Sequence, residues 1–420
     1  MLDLAALLVT LTALFAWVNH KFIRLPSAIG VMGIALVLSL GLVGLGRLGF
    51  GSLAQQAERL VASVDFTTVL MQGMLSLLLF AGALHVDLSD LVSRRHAIWV
   101  LATVGVVIST TIVGVAAWLV LDLVGLPMRL IDCFVFGALI SPTDPIAVMG
   151  ILKSARAPKG LEIKITGESL FNDGVGVVLF AVLLGLAQGT RPMSPGGMAL
   201  LFVEEAAGGL LLGLVLGYVT YRLLRSIDRY QVEILLTLAL VLGGNALATK
   251  LHVSGPLAMV VAGLFIGNQG RLFAMSETTE RHVDTFWELV DEILNGVLFV
   301  LIGFEVLALT FRPERLTASL LMIPVVLCAR FVAVGVPMRV LARWRQYTPW
   351  AVTILTWAGL RGGISVALAL SIPPGPARQV FLPMTYVIVL FSILVQGLTL
   401  GMLVRRTVGA PTQVPLPDQP

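Results

Sequence analysis

The chain is a succession of apolar runs, each long enough to cross a bilayer, punctuated by short polar stretches. A helix rising about 1.5 Å per residue crosses a hydrocarbon core of roughly 30 Å in about 20 residues. Cutting the runs at charge and Pro/Gly clusters predicts thirteen membrane-spanning helices. They fall near residues 2–18, 25–45, 66–84, 97–121, 130–150, 163–187, 198–221, 232–249, 255–270, 286–309, 317–338, 349–371 and 380–404. The predicted fold class is therefore an all-α polytopic membrane protein. The longest hydrophilic stretches, Gly46 to Asp65 and Gly270 to Thr285, are too short for a folded domain. A single transmembrane domain is expected over 1–406, with a short, Pro-rich, disordered tail over 407–420.

Composition agrees: of 420 residues 57% are apolar and 12% charged, against about 25% charged in an ordinary soluble domain. That balance excludes a soluble globular protein. Cys133 and Cys328 lie inside apolar runs, so no disulfide framework or Cys-rich metal site is expected. The position of the basic residues reports topology. Asp3 precedes the first span and Lys21 and Arg24 follow it, the reverse of a signal peptide's basic start, so the span reads as retained. Loops after odd-numbered spans, with the C-terminus, hold eighteen of the 28 Lys and Arg, and the opposite loops hold eight. Excess Lys and Arg marks the cytoplasmic side, so the N-terminus is expected outside and the C-terminus inside.

Two spans are interrupted by their own residues. The fifth contains Ser141-Pro142-Thr143-Asp144-Pro145, where two prolines remove backbone donors and clash with preceding carbonyls. The twelfth contains Gly359-Leu360-Arg361-Gly362-Gly363. Broken backbone at membrane depth is tolerated only where protein or a water-filled cavity satisfies it. The breaks are seven spans apart, and an odd offset reverses the chain's direction. Spans 1–6 (about 1–187) and 8–13 (about 232–404) are thus predicted to form inverted repeats joined by span 7 (about 198–221). Crossed, discontinuous helices within such repeats hold the site in many secondary transporters.

Ionisable groups inside a membrane cost several kcal/mol unless paired or hydrated. Five lie deep: Asp144, Glu168, Asp173, Arg330 and Arg361. Arginine stays protonated, so two guanidiniums can hold two carboxylates ionised. Position assigns the pairs. Asp144 and Arg361 sit at the two breaks, and Glu168 and Arg330 both lie in the cytoplasmic halves of their spans. Asp173 is left over, roughly 7–8 Å deeper than Glu168, and must meet a mobile cation or a proton. Ser169 and Asp173, at i and i+4, share a helical face. With Thr143 and freed carbonyls nearby they supply the hard oxygens an alkali cation needs, so Na⁺ is placed at Asp173, Ser169 and Thr143. Asn172 reads either as part of this site or as a link between helices.

Other polar groups carry blander readings. Asp291 and Glu292 suit the first turns of a helix at the interface, and Glu204, Glu205, Glu233 and Glu305 fall near span ends. Asn245, Asn268 and Asn295 read as packing groups, and the five histidines lie in or beside loops. The spacing Gly209-x-x-x-Gly213-x-x-x-Gly217 favours close helix packing or dimerisation. Walker A, HExxH and GxSxG patterns do not occur, so those routes to ATP-driven pumping and hydrolysis lack support and no cofactor or enzyme activity is expected.

The runs GALISPTDPIAV (Gly137 to Val148), GESLFNDGVGVVLF (Gly167 to Phe180) and TWAGLRGGISVALALSIP (Thr356 to Pro373) resemble the signature stretches of the monovalent cation:proton antiporter family. This family contains the bacterial NhaP exchangers and the animal sodium/proton exchangers. Phe286-Trp287-Glu288 and Ala329-Arg330 are also similar to it. The resemblance implies a thirteen-span homodimer with elevator-like alternating access in a bacterial inner membrane. It further implies that Asp173 is the ion and proton carboxylate, with Thr143, Asp144, Ser169 and Asn172 around it. The Asn172-Asp173 pair resembles the electroneutral branch, which implies one-for-one exchange. One position departs from the pattern: where many relatives carry a glutamate on the third span, this chain has Ala81. The expectation is Na⁺ or Li⁺ exchanged for H⁺, with K⁺/H⁺ exchange as the nearest alternative and a cation channel or a membrane scaffold as readings of another class.

Overall fold

A computed structural model of the chain describes residues 2–47, 73–155, 157–189, 195–307, 312–342 and 350–408. Residues 48–65 of the first hydrophilic stretch, the start of the third span and nearly all of the 407–420 tail lie outside them. Among the described residues the chain is helical and contains no strand. The helices are α1 (Leu2–Val18), α2 (Ser27–Arg47), α3 (Leu75–Leu84), α4 (Leu88–Ser93), α5 (Arg95–Val100), α6 (Val106–Leu123), α7 (Leu130–Ile140), α8 (Ile146–Ser154), α9 (Lys159–Ala187) and α10 (Pro195–Leu224). They continue with α11 (Tyr230–Leu251), α12 (Gly255–Phe265), α13 (Arg271–Ala274), α14 (Glu277–Glu305), α15 (Pro313–Ala342), α16 (Ala351–Trp357), α17 (Gly363–Leu370), α18 (Pro376–Phe391) and α19 (Gly397–Val408). Short π turns join α5 to α6, α12 to α13 and α18 to α19. Nine helical stretches among the described residues are long and apolar enough to cross a membrane. Helix α14 is long enough as well, but its C-terminal portion carries Glu288, Asp291, Glu292 and Glu305.

Both predicted interruptions are present. Helix α7 stops at Ile140 and α8 starts at Ile146, while α16 stops at Trp357 and α17 starts at Gly363. A central apolar core from α2, α8, α14, α16 and α17 surrounds these breaks. A second core joins α6, α7, α9, α15 and α18, and a third joins α3, α11, α12 and the start of α14. Large apolar side chains such as Leu14 and Trp17 on α1 and Leu211 and Val215 on α10 are left outward-facing.

Local chemistry explains several joints. Gly209 and Gly213 bring α10 so close to α12 that a Cβ there would stand 2.6 Å from the Ser254 carbonyl oxygen and 2.4 Å from that of Ala258. The glycine spacing is thus used within the protomer. Trp287 is fully buried, donates to Thr237 Oγ1 at 3.0 Å and packs on Phe80 with centroids 4.7 Å apart. It anchors α14 against α11 and α3. Glu233 is buried as a cap, its Oε1 accepting from the Arg229 N–H at 3.1 Å and from Thr279 Oγ1 at 3.3 Å. Glu305 is also buried. Both acids lie at helix ends, as the sequence places them, with Glu233 in the first turn of α11 and Glu305 closing α14, and there the packed helices bury them.

Candidate functional site

The two breaks touch, and their freed backbone groups satisfy one another. The Asp144 N–H donates to the Leu360 carbonyl at 2.8 Å. Arg361 Nη1 donates to the Ser141 carbonyl and, at 2.9 Å, to that of Pro142. The Arg361 N–H donates to Ser392 Oγ at 3.0 Å, that hydroxyl donates to Gln396 Oε1, and Gln396 Nε2 donates to the Trp357 carbonyl at 3.1 Å. The π turn of Ser392 and Gln396 therefore caps the second break. This accounting meets the rule that backbone in a membrane interior must find partners.

Glycine makes the crossing possible. A Cβ on Gly359 would lie 2.5 Å from Arg330 Nε, and one on Gly362 would lie 2.0 Å from Asp144 Oδ2. The carboxylate of Asp144 thus rests against the N-terminal end of α17, where helix dipoles favour negative charge. The guanidinium of Arg361 meets carbonyls at the C-terminal end of α7, where they favour positive charge.

Of the two expected ion pairs, Glu168–Arg330 forms as a buried fork. Arg330 Nη1 and Nη2 donate to Glu168 Oε1 and Oε2, the second at 3.0 Å, and Nη2 also reaches the Leu355 carbonyl at 3.3 Å. At the crossing, the hydrogen bonds of the Arg361 guanidinium run to the backbone of the Asp144 loop, a bond type that counting charged side chains does not anticipate.

Around Asp173 the expected oxygens come together. Thr143 Oγ1 and Ser169 Oγ share a hydrogen bond at 3.1 Å. Asn172 clasps the broken segment from both sides, accepting from the Thr143 N–H at 3.2 Å and donating to Thr143 Oγ1 at 2.8 Å. Thr143, Ser169, Asn172 and Asp173 are each 4% exposed or less. Asp173 Oδ1 has no hydrogen-bond partner.

A cavity of about 590 Å³ runs from the polar turn before α4 and the start of α9 down to Asp144 and Asp173. Its mouth carries Asp87, Asp90 and Glu162, with Lys159 bound to Asp90 at 3.2 Å. Hydrogen bonds from the Ser89 hydroxyl and N–H hold the Asp87 carboxyl below its ordinary range, so it stays anionic. Ala81 lies on the wall. So do Glu288, Asp291 and Asn295 of α14, which corrects the expectation that Asp291 belongs to a membrane interface. Their spacing of three and four residues, ending at Leu298, was the available signal for a shared face.

Comparisons with known proteins agree with this architecture. The chain is 54% identical over 410 residues to the Na(+)/H(+) antiporter NhaP of Pseudomonas aeruginosa, covering 97% of each. It is 34% identical over 396 residues to the Na(+)/H(+) antiporter NhaH of Halobacillus dabanensis, covering 92% of this chain and 93% of that one. The solved structure of the sodium proton antiporter MjNhaP1 from Methanocaldococcus jannaschii at pH 8 matches with a TM-score of 0.74 at 19% identity, covering 96% of this chain and 98% of the other. At that identity the likeness shows a shared fold. The family described as "Sodium/hydrogen exchanger, transmembrane" matches residues 8–406, and with nearly the whole chain so covered, the protein belongs to that family.

Proposed function

We propose that this chain is a secondary antiporter exchanging Na⁺ or Li⁺ for H⁺ across a bacterial inner membrane, one for one and by alternating access. The observation that carries the reading is Asp173: a buried carboxylate at the inner end of a cavity, with one oxygen left without a hydrogen bond. Glu168 is neutralised by Arg330, and Arg361 is committed to the Asp144 loop. A proton or an alkali cation completes Asp173, and one excludes the other. The cation takes Asp173, Ser169 and Thr143 as ligands, with Asn172 and Asp144 shaping the pocket. Because one charge leaves as one enters, exchange is electroneutral.

The layout proposed with this function has thirteen spans over 1–406, inverted repeats of spans 1–6 and 8–13, and α10 as connector. The N-terminus lies outside and the C-terminus in the cytoplasm, so the acid-lined mouth opens to the cytoplasm. Membrane lipids cover the outward apolar faces, and two copies form a homodimer, as the resemblance implies.

A second reading, K⁺/H⁺ exchange by the same machinery, is favoured by Ala81. Its methyl group on the cavity wall contributes no ligand, and a weaker field suits the larger, more easily dehydrated ion. The test uses proteoliposomes with an internal pH dye and an imposed proton gradient, to which Na⁺, Li⁺ or K⁺ is added. Dissipation by a cation in the wild type and not in Asp173→Asn supports exchange at Asp173, and the responding ion identifies the substrate. Flux that fails to saturate, or is not coupled to proton counter-flow, replaces the antiporter by a channel.

A further inference from the structure

Three asparagines on membrane helices look alike in sequence but not in space. Asn245 Oδ1 accepts from Ser76 Oγ at 2.8 Å, tying α11 to α3. Asn268 holds the turn before α4, accepting from the Leu88 N–H at 2.8 Å and donating to the Val86 carbonyl at 3.0 Å. Asn295 is 5% exposed, and neither its Oδ1 nor its Nδ2 has a hydrogen-bond partner. Among the described residues it is the only side chain with two orphaned polar atoms. A buried amide without partners is costly, and Asn295 lines the cavity that ends at Asp173.

Its neighbours on α14 lead along that cavity. Glu288, Asp291, Asn295 and Leu298 follow at intervals of three and four, hence on one face. Leu298 packs on Gly363 at the second break, so this face runs from the mouth to the crossing. Asp291, one turn earlier, lies close enough to Asn295 to interact with its amide. Asp291 and Asn295 also line a second void of about 340 Å³ between α1, α2 and α14, and no basic residue lines it. In the main cavity the basic lining residues are His85 and Lys159. His85 Nδ1 lies 2.8 Å from the Ala81 carbonyl oxygen, and Lys159 pairs with Asp90.

We propose that Asp291 and Asn295 form a transit site for a partly hydrated monovalent cation on its way to Asp173. The Asp291 carboxylate supplies the charge, and Asn295 Oδ1 replaces one water of the hydration shell. The site offers carboxylate and carbonyl oxygens, the hard donors suited to such ions. It also provides, from α14, a charged ligand on the cavity that carries Ala81 on its α3 wall. The identity of the ion rests on the exchange reading, whereas the site itself does not.

The test has two arms. In proteoliposomes, Asp291→Asn and Asn295→Ala raise the half-saturating Na⁺ concentration about tenfold, the lower end of the range over which charged clefts concentrate counter-ions. The rise exceeds any fall in maximum rate, and Asp291→Glu restores the wild-type value. In detergent, Asp173→Asn retains a weak ²²Na⁺-binding signal that the added Asp291→Asn abolishes. Unchanged half-saturation with Asp291→Asn overturns the transit site while leaving exchange at Asp173 standing. A parallel fall of rate and affinity without rescue by Asp291→Glu also overturns it, because it marks a packing role. If the wild type exchanges no cation for protons, the antiporter reading fails and the ²²Na⁺ arm decides alone: binding lost with Asp291→Asn upholds the site, and binding that is absent or unaffected overturns it.

Discussion

Gly362→Ala tests the crossing with a single methyl group. An ideal Cβ at this position stands 2.0 Å from Asp144 Oδ2, 2.5 Å from its Cβ and 2.6 Å from its Cγ. Ordinary van der Waals contact begins near 3.4 Å, so the carboxylate must move by about 1.4 Å. Backbone strain contributes nothing, because Gly362 has φ −126°, which any residue adopts. Retreat of the Asp144 backbone is opposed by its 2.8 Å bond to the Leu360 carbonyl. The carboxylate therefore swings away from the α17 terminus, and the Asp144 Cβ, which no side-chain rotation moves, is pushed back against that bond. A misplacement of about 1 Å in a site can cost about 10²-fold, so Na⁺-driven proton flux in proteoliposomes falls by one to two orders of magnitude. Gly41→Ala, with nothing within 4 Å of the added methyl, serves as the control. If the effect runs through the Asp144 side chain, Gly362→Ala costs nothing further in an Asp144→Gly background, which removes the Cβ as well as the carboxylate. A folded Gly362→Ala protein exchanging within twofold of wild type, or full additivity with Asp144→Gly, refutes the argument.

Three further outcomes follow from the same geometry. Breaking the buried Glu168–Arg330 fork with Glu168→Gln or Arg330→Met lowers stability by about 3–5 kcal/mol, because each leaves a buried charge alone, and the double variant recovers most of it; additive losses in detergent unfolding would refute this. Asp173→Asn abolishes exchange while its unfolding midpoint stays level or rises, since a buried carboxylate with an orphaned oxygen is replaced by a neutral amide; a marked drop would make Asp173 a structural acid. Acidifying the cytoplasmic side weakens exchange, because protonation removes the cation's ligand: below the site's pKa the half-saturating Na⁺ rises about tenfold per pH unit. Asp87, held below its ordinary range, stays ionised and adds no step, so a pH profile that survives Asp173→Asn would locate the titration elsewhere.

The parts of this site that were legible in the sequence are those set by local chemistry or by depth. Two prolines around Thr143-Asp144 and three glycines around Arg361 interrupt helices wherever they occur, so both breaks were readable. Depth counting along two spans brought Glu168 and Arg330 together, because a pair in a membrane must meet at one level. The bonds of Arg361 were not legible. A sequence displays charged side chains, whereas the acceptors here are the Ser141 and Pro142 carbonyls, which exist only because the helix is broken. The cap from Ser392 and Gln396 was missed for a similar reason: it depends on a π turn that rotates both side chains toward the break. Asp291 was misread because acids near the start of an apolar run usually face water at an interface. Here α14 begins well before its apolar part, at Glu277, and carries that acid inward.

Backbone groups freed at the two breaks find partners within the protein, whereas two side chains on the cavity keep polar atoms without one. At the crossing, polar groups from four separate segments close on one another. Such a network resists deformation, because every displaced donor loses a bond in a medium that offers no water in exchange. Asp173 Oδ1 and the Asn295 amide stand apart from it on the same cavity. Had their partners been protein groups, a cation would have to displace them and would be discriminated against. Left without partners, these oxygens cost stability in the empty state, at about 1–3 kcal/mol for each unsatisfied group. In the proposed exchange that cost is offset when a proton or cation arrives, which would make occupancy a condition for burying the site. A carrier needs that property, because a site that is stable when empty could move without cargo and uncouple the two gradients.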